Sequence, residues 1–439
     1  MANVTIGFIG LGALVVLLFI RMHIGLALAL VSVLGLATIR GFDSAYGALR
    51  SLPYDFAANW SLTAIPMFLL MGAIAFHGGL TSGLFRAAKA WLGRLPGGLA
   101  VASTLACAIF AAVSGSSLAT ASAMGRIAIP EMLRARYDPG LAAGTVAAAG
   151  TIGSLIPPSI LMILYAVFTE QSISMCLMAG ILPGLLTAIM YSAMIVLRCV
   201  FNKDLAPAVE ESASPWAERI GSAKEVWPVL LVAGGVVVSI YAGIATEVEA
   251  AGIGAALMAI VAFTKLRSGT RASGMMEAAR ETVVSTGSIL LIAIGASLLT
   301  RFVVISGIPN FINVQLMEMG SSPTTILFAI AAFTIILGMF LDPMGVLLIT
   351  LPIVLPLVEA ADINLIWFGV IMIKLIEIGL ISPPIGMNVF VIKGVVGNTI
   401  SLSTIFRGIG WFFVIEIITL SILILFPQIS LFIPNLMIR

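Results

Sequence analysis

A few oxygen-bearing side chains stand where the chain is otherwise apolar. Asp342 lies in FLDPMG and Glu377 in EIGLISPP, with Ser382 and Asn388 close behind. Ser114, Ser116 and Ser117 lie in VSGSS, and Thr151 in GTIGSLIPPS. Each group interrupts a long apolar run. Pro157–Pro158 and Pro383–Pro384 remove amide protons and free carbonyls one turn back. Gly153 and Gly379 permit tight local geometry. Away from water an unpaired backbone group is costly, so unwound backbone persists only where something satisfies it. Neutral oxygens with one or two carboxylates suit a hard, weakly held cation better than a transition metal, which points to sodium. Half-helix amino termini at the same breaks favour an anionic substrate group.

These interruptions come in matched pairs. Pro130 pairs with Pro356, Gly153 with Gly379 and Pro157 with Pro383 under one offset (356 − 130 = 226). Under that offset Ser116 pairs with Asp342 and Thr151 with Glu377. Each copy reads as a re-entrant hairpin followed by a broken helix. The apolar runs at about 140–168, 173–199, 227–243, 248–265 and 284–305 cross between the copies, and an odd number inverts the second copy. Positive charge favours cytoplasmic loops. Most of the 22 Lys and Arg residues satisfy this rule if the amino terminus, uncharged before Arg21, faces outward. The first hairpin then enters from the cytoplasm and the second from outside. Inverted repeats with paired broken helices mark a secondary transporter whose site lies between the copies.

The elements that hold these residues must lie in lipid. The chain has 439 residues, 60% apolar and 10% charged, against about 25% charged in soluble domains. Mean hydropathy is +1.16. The apolar runs do not alternate with period two, so the spans are helical and the protein is an all-α polytopic membrane protein. Residues 4–20 read as a retained span. Residues 40–60 read as a mixed loop. Residues 80–96, with Arg86, Lys89 and Arg94 among Leu, Phe and Trp, read as a helix lying in the interface. A second interfacial piece covers 306–321, and 202–225 is a polar linker with four acidic residues between Asp204 and Glu218.

Other chemistry is weakly supported or absent. A net charge of +2 with scattered basic residues argues against nucleic acid. Cys107, Cys176 and Cys199 sit in apolar runs as core residues. There is no phosphate-binding GxxxxGK[ST] and no HExxH. The two histidines, His23 and His77, read as structural or interfacial and are remote from SGSS in sequence, so a serine hydrolase is disfavoured and the chain is not read as an enzyme. Arg301 lies in an apolar span, where it either meets a substrate carboxylate or snorkels to the outer interface. Lys374 and Glu377 are three apart on one helix and placed to pair.

The chain resembles the large membrane subunit of tripartite ATP-independent periplasmic (TRAP) transporters. The resemblance spans essentially its whole length. It is carried by AAVSGSSLATASAMGRIAIPEM (111–132), GTIGSLIPPSILMILYA (150–166), GIATEVEAAGIGA (243–255), LGMFLDPMGVLLITLPIVLPL (337–357) and GLISPPIGMNVFVIKG (379–394). It implies an inverted-repeat, elevator-type fold with two re-entrant hairpins and two broken helices. Residues 1–96 would be scaffold spans plus an arm, and 97–170 the first transport repeat. Residues 171–321 would be scaffold spans, linker and a second arm, 322–396 the second transport repeat, and 397–439 the final, scaffold span. Sodium would be held by Ser114, Gly115, Ser116, Thr151 and Gly153 in one copy and by Gly338, Met339, Asp342, Glu377 and Gly379 in the other. Substrate would meet Arg301, Ser117, Pro157, Ser382 and Asn388. The implied activity is sodium-coupled uptake of an organic acid anion, such as a C4-dicarboxylate or sialic acid, across the bacterial inner membrane. Sodium ions are the only cofactor implied, with no organic one. The implied partners are a small four-helix membrane subunit and a periplasmic substrate-binding protein. The rival readings are a stand-alone sodium–carboxylate carrier, a channel and an intramembrane enzyme.

Overall fold

The computed structural model describes residues 2–207, 216–265, 271–318 and 323–437. The acidic centre of the 202–225 linker and the end of the 306–321 segment fall outside them. Among the described residues there is no strand. The first helices are α1 (Ala2–Phe19), α2 (Ile24–Arg40), α3 (Phe42–Ala57), α4 (Ala64–His77) and α5 (Leu80–Leu92). The first repeat follows as α6 (Gly98–Ser114), α7 (Ser117–Arg134), α8 (Pro139–Thr151) and α9 (Ile160–Phe168). Between the repeats lie α10 (Ile173–Ala179), α11 (Ile181–Phe201), α12 (Trp216–Tyr241), α13 (Glu247–Lys265), α14 (Arg271–Ser306) and α15 (Ile308–Glu318). The second repeat is α16 (Pro323–Gly338), α17 (Pro343–Ala360), α18 (Leu365–Ile381) and α19 (Met387–Val396), followed by α20 (Leu402–Leu425) and α21 (Gln428–Met437).

Among the described residues, eight helical segments are long and apolar enough to cross a bilayer. α6 and α16 are shorter, at 17 and 16 residues, against the roughly 20 a full crossing takes. All four breaks fall where Gly, Ser and Pro interrupt the apolar runs. α6 packs on α7 and α16 on α17, and each of these pairs packs on its own broken helix, α8 or α18.

Two differences from the sequence reading have simple causes. The expected loop at 40–60 contains α3, a helix that buries Ala45 and Ala48 and exposes Tyr46 and Tyr54. Its polar residues had hidden the helical period. The last long helix, α20, expected as scaffold with the amino-terminal and middle spans, packs on α11 of the middle spans and also on α8 and α18 of the two repeats. Gly140 and Gly408 make this approach possible. A β-carbon on Gly408 would lie 1.9 Å from the Gly140 carbonyl oxygen. α8 is buried on nearly every side, as its PGLAAGTVAAAGT composition allows. The flanking body is built around α2 against α14, with Gly25 against the Leu291 carbonyl and Gly35 against the Phe302 ring. α5 is tied by Arg86 to Glu225 of α12 (2.6 Å) and by Lys89 to Glu131 of α7 (3.2 Å).

Candidate functional site

The first hairpin turns at Gly115, whose φ of +61° suits glycine. A β-carbon there would stand 2.1 Å from the Pro158 carbonyl oxygen, so the turn lies directly on the first helix break. The Ile160 amide crosses that junction and donates to the Gly115 carbonyl at 3.2 Å. Ser116 caps α7 by accepting from the Ala119 amide. Thr120 Oγ1 donates to the Ser116 carbonyl and lies 2.8 Å from Ser114 Oγ. Gly153 fits beneath, where a β-carbon would meet the Ser116 carbonyl oxygen at 2.8 Å.

The second copy repeats the plan with other residues. Gly338 and Gly379 meet backbone to backbone, and a β-carbon on Gly379 would reach the Gly338 Cα at 2.7 Å. The Gly386 amide donates to the Met339 carbonyl at 3.2 Å. Ile160 and Gly386 are equivalent under the repeat offset, and each amide bonds into the hairpin turn of its own copy. Ser116 and Asp342 are also equivalent, and each caps the second helix of its hairpin. Asp342 Oδ2 accepts from the Gly345 amide at 3.2 Å.

The two turns meet. Gly115, Ser116, Ser117, Ser154 and Asp342 line one cavity of about 80 Å³, closed by Ile160, Leu161 and Met344. Ser154 is buried and its Oγ has no hydrogen-bond partner, so an oxygen is available to a guest there. A larger cavity of about 590 Å³ adjoins Ser114, Ser116, Ser122 and Asp342. Its far wall is His23 and Ile24 at the head of α2, Phe76 of α4, and Glu281, Ser285 and Ser288 of α14. Glu281 is paired with His77 at 2.7 Å. The smaller cavity offers hydroxyls and one carboxylate, a donor set for a hard cation. The amino termini of α7 and α17 border it and favour negative charge.

Several expected residues line neither cavity. Glu377 is fully buried and bound to Lys374 at 2.9 Å. Lys374 also reaches Glu416 of α20 at 2.5 Å and donates to Thr187 Oγ1 of α11 at 3.3 Å. The Tyr191 hydroxyl donates to Glu416. The lysine one turn away thus holds the carboxylate that had been expected to hold sodium. Thr151 donates to the Ala148 carbonyl at 2.7 Å and stands beside Tyr191. Ser382 donates to the Ile378 carbonyl at 2.6 Å. Asn388 Nδ2 donates across the repeats to the Ala147 carbonyl at 3.1 Å. Pro157 is buried behind the first hairpin turn. Arg301 is exposed, because α14 turns Leu298, Leu299, Phe302 and Val303 inward and leaves position 301 outside.

The sequence reading had also passed over Thr120, Ser154, Ser285, Ser288 and Glu416, and had taken His23 as structural or interfacial. Glu416 left a signal, a lone acid in FVIEIITL. Ser285 and Ser288 left only their four- and seven-residue spacing from Glu281, which places all three on one helix face.

Residues 11–429 match the family described as tripartite ATP-independent periplasmic transporter, DctM component. The chain is 37% identical over 395 residues to the C4-dicarboxylate TRAP transporter large permease protein DctM of Pseudomonas aeruginosa, covering 88% of this chain and 90% of that protein. It is 30% identical to the sialic acid TRAP transporter large permease protein SiaM of Vibrio cholerae, over 96% of each. Among solved structures it is similar in fold to MtrF of Neisseria gonorrhoeae, an antimetabolite efflux pump, with a TM-score of 0.59, 15% identity and coverage of 89% and 85% of the two chains.

Proposed function

The chain belongs to the DctM-component family of TRAP transporters, as a large membrane permease subunit rather than an enzyme, and from that premise we propose that it takes up an organic acid anion with sodium as coupling ion. The carrying observation is the meeting of both hairpin turns at one small oxygen-lined cavity. Gly115, Ser116, Ser117, Ser154 and Asp342 would hold the sodium ion there. A cation at Asp342 cancels the one negative charge of that cavity. The amino termini of α7 and α17 then present net positive potential to the adjoining larger cavity, and the substrate carboxylate follows. Coupling arises because the anion site is favourable only when the cation site is filled.

The relatives named above support a C4-dicarboxylate, sialic acid or a related carboxylate as substrate. By the same kinship the chain works with a small membrane subunit and a periplasmic binding protein in the bacterial inner membrane; the distribution of basic residues supports an amino terminus outside. Residues 21–23, the end of α4 and the start of α14 lie at the end of the molecule that the charge rule assigns to the cytoplasm. They share the larger cavity with the hairpin turns, which supports a cytoplasm-facing arrangement. Alternation would carry the paired hairpins past α2 and α14 as one body, an elevator movement.

The test is uptake into proteoliposomes holding both membrane subunits, with the matching binding protein outside. Uptake should rise with an inward sodium gradient. Uptake of the same size with and without that gradient rejects sodium as the coupling ion.

A further inference from the structure

Four buried ionisable side chains take no part in the sites for sodium and substrate. Lys374 and Glu377 of α18, Tyr191 of α11 and Glu416 of α20 are all fully buried, and none of them borders either cavity at the hairpin turns. Lys374 Nζ meets Glu377 Oε2 at 2.9 Å, Glu416 Oε2 at 2.5 Å and Thr187 Oγ1 at 3.3 Å. All three protons of the ammonium are then engaged.

The charges of this group do not cancel. Two carboxylates face one ammonium, and no other Lys or Arg forms an ion pair with either carboxylate among the described residues. A charge without an offset among apolar helices is costly. A sodium ion needs several oxygens around it, and here the ammonium already stands between the two carboxylates. A proton needs one lone pair and no cavity.

The oxygens indicate which carboxylate takes it. Glu377 Oε1 has no hydrogen-bond partner, so an acid proton there would meet no acceptor. Glu416 Oε1 faces the Tyr191 hydroxyl, which can accept as well as donate. Beyond it Thr151 Oγ1 of α8 stands beside Tyr191 and donates to the Ala148 carbonyl. With Glu416 ionised, Tyr191 donates to it. With Glu416 protonated, the bonds run one way, from Glu416 through Tyr191 and Thr151 to the Ala148 carbonyl, and every donor on that path has an acceptor.

We propose that this group is a proton site. Glu416 is a neutral carboxylic acid bonded to Tyr191, its proton taken from water, and the Lys374–Glu377 pair completes a buried group of zero net charge. The site is separate from the sodium ion at Asp342 and does not depend on it.

The experiment is infrared spectroscopy of the full chain in lipid nanodiscs at neutral pH in sodium chloride, with thermal unfolding to report the fold of each variant. The carbonyl stretch of a protonated carboxylic acid should be present in the wild type. It should disappear in Glu416→Gln. It should disappear in Glu377→Gln as well, because Lys374 alone then balances Glu416. Asp342→Asn should keep it. Tyr191→Phe should keep the acid but shift its band, since the acid loses its hydrogen-bond acceptor. Absence of the band from the wild type overturns the proposal without recourse to any variant. A band present in choline chloride and lost in sodium chloride assigns the counter-charge to sodium and overturns it too. Survival of the full band in Glu416→Gln, or an unshifted band in Tyr191→Phe, overturns the placement of the proton between Glu416 and Tyr191.

Discussion

Asp342 and Glu377 are carboxylates of the same repeat, and the protein treats them in opposite ways. Asp342 sits at the hairpin turn, caps α17 and borders both cavities. Glu377 is sealed against Lys374, and through that lysine linked to Glu416 on another helix. A charge among apolar helices is tolerated when a partner offsets it. Glu377 has its partner on the chain, one turn away. Asp342 has no lysine or arginine among the residues lining its two cavities, and the proposed sodium ion would supply the counter-charge there. Under that proposal the origin of the counter-charge, not the residue type, separates an ion ligand from a structural lock.

The sharpest way to break this contrast is to remove the lysine. Lys374→Ala leaves Glu377 and Glu416 buried without their cation and should cost about 3–5 kcal/mol of stability, read as a large drop in the thermal unfolding temperature. Wild-type stability would mean that this cluster does not hold α18 to α20. Asp342→Ala should do the reverse. It loses a helix cap worth about 1 kcal/mol and stays folded, but sodium-driven uptake in proteoliposomes should vanish. Normal transport by that variant would remove Asp342 from the ion site. Gly115→Ala tests the junction between turn and break. The left-handed backbone costs about 1–2 kcal/mol for a residue with a side chain, and the Pro158 carbonyl must also move, so uptake should fall sharply while the rest of the fold persists. Ser154→Ala should leave unfolding almost unchanged and weaken the sodium dependence of uptake severalfold, since it removes one neutral oxygen. Arg301→Gln, at a residue exposed outside both cavities, should leave the apparent KM for substrate where it was. A raised KM would return that arginine to the binding site.

The two helix breaks differ in a second respect. Pro157 and Pro158 are buried, whereas Pro383 and Pro384 are exposed. Gly180 and Gly184 press against Leu155 and Ile156, covering the first break. Repeat-related sequence has thus been placed in unlike surroundings, one closed over and one open.

This division also explains what could be read from residue order alone. The four interruptions were legible because Gly, Ser and Pro act on the backbone locally, and the constant offset tied them together. The meeting of the two hairpin turns was expected from the inferred inversion of the copies, an argument about topology. The fate of Glu377 was only half visible. Lys374 lies one turn away in sequence, but Glu416 and Tyr191 arrive from α20 and α11 through packing alone. Arg301 was misleading because its value depends on which way α14 faces, and an apolar span with residues of similar character on every side carries no period to tell. His23 had looked like a turn residue for the same reason: nothing near it in sequence announces the cavity that forms when hairpins from elsewhere reach it.

Asn388 grips the main chain at Ala147 rather than a side chain. The bond asks nothing of the chemistry at position 147 beyond small size, and everything of position 388. Any residue at 147 still offers a carbonyl, whereas most replacements at 388 remove the donor, so the sequence cost of this contact between the copies falls on one side alone.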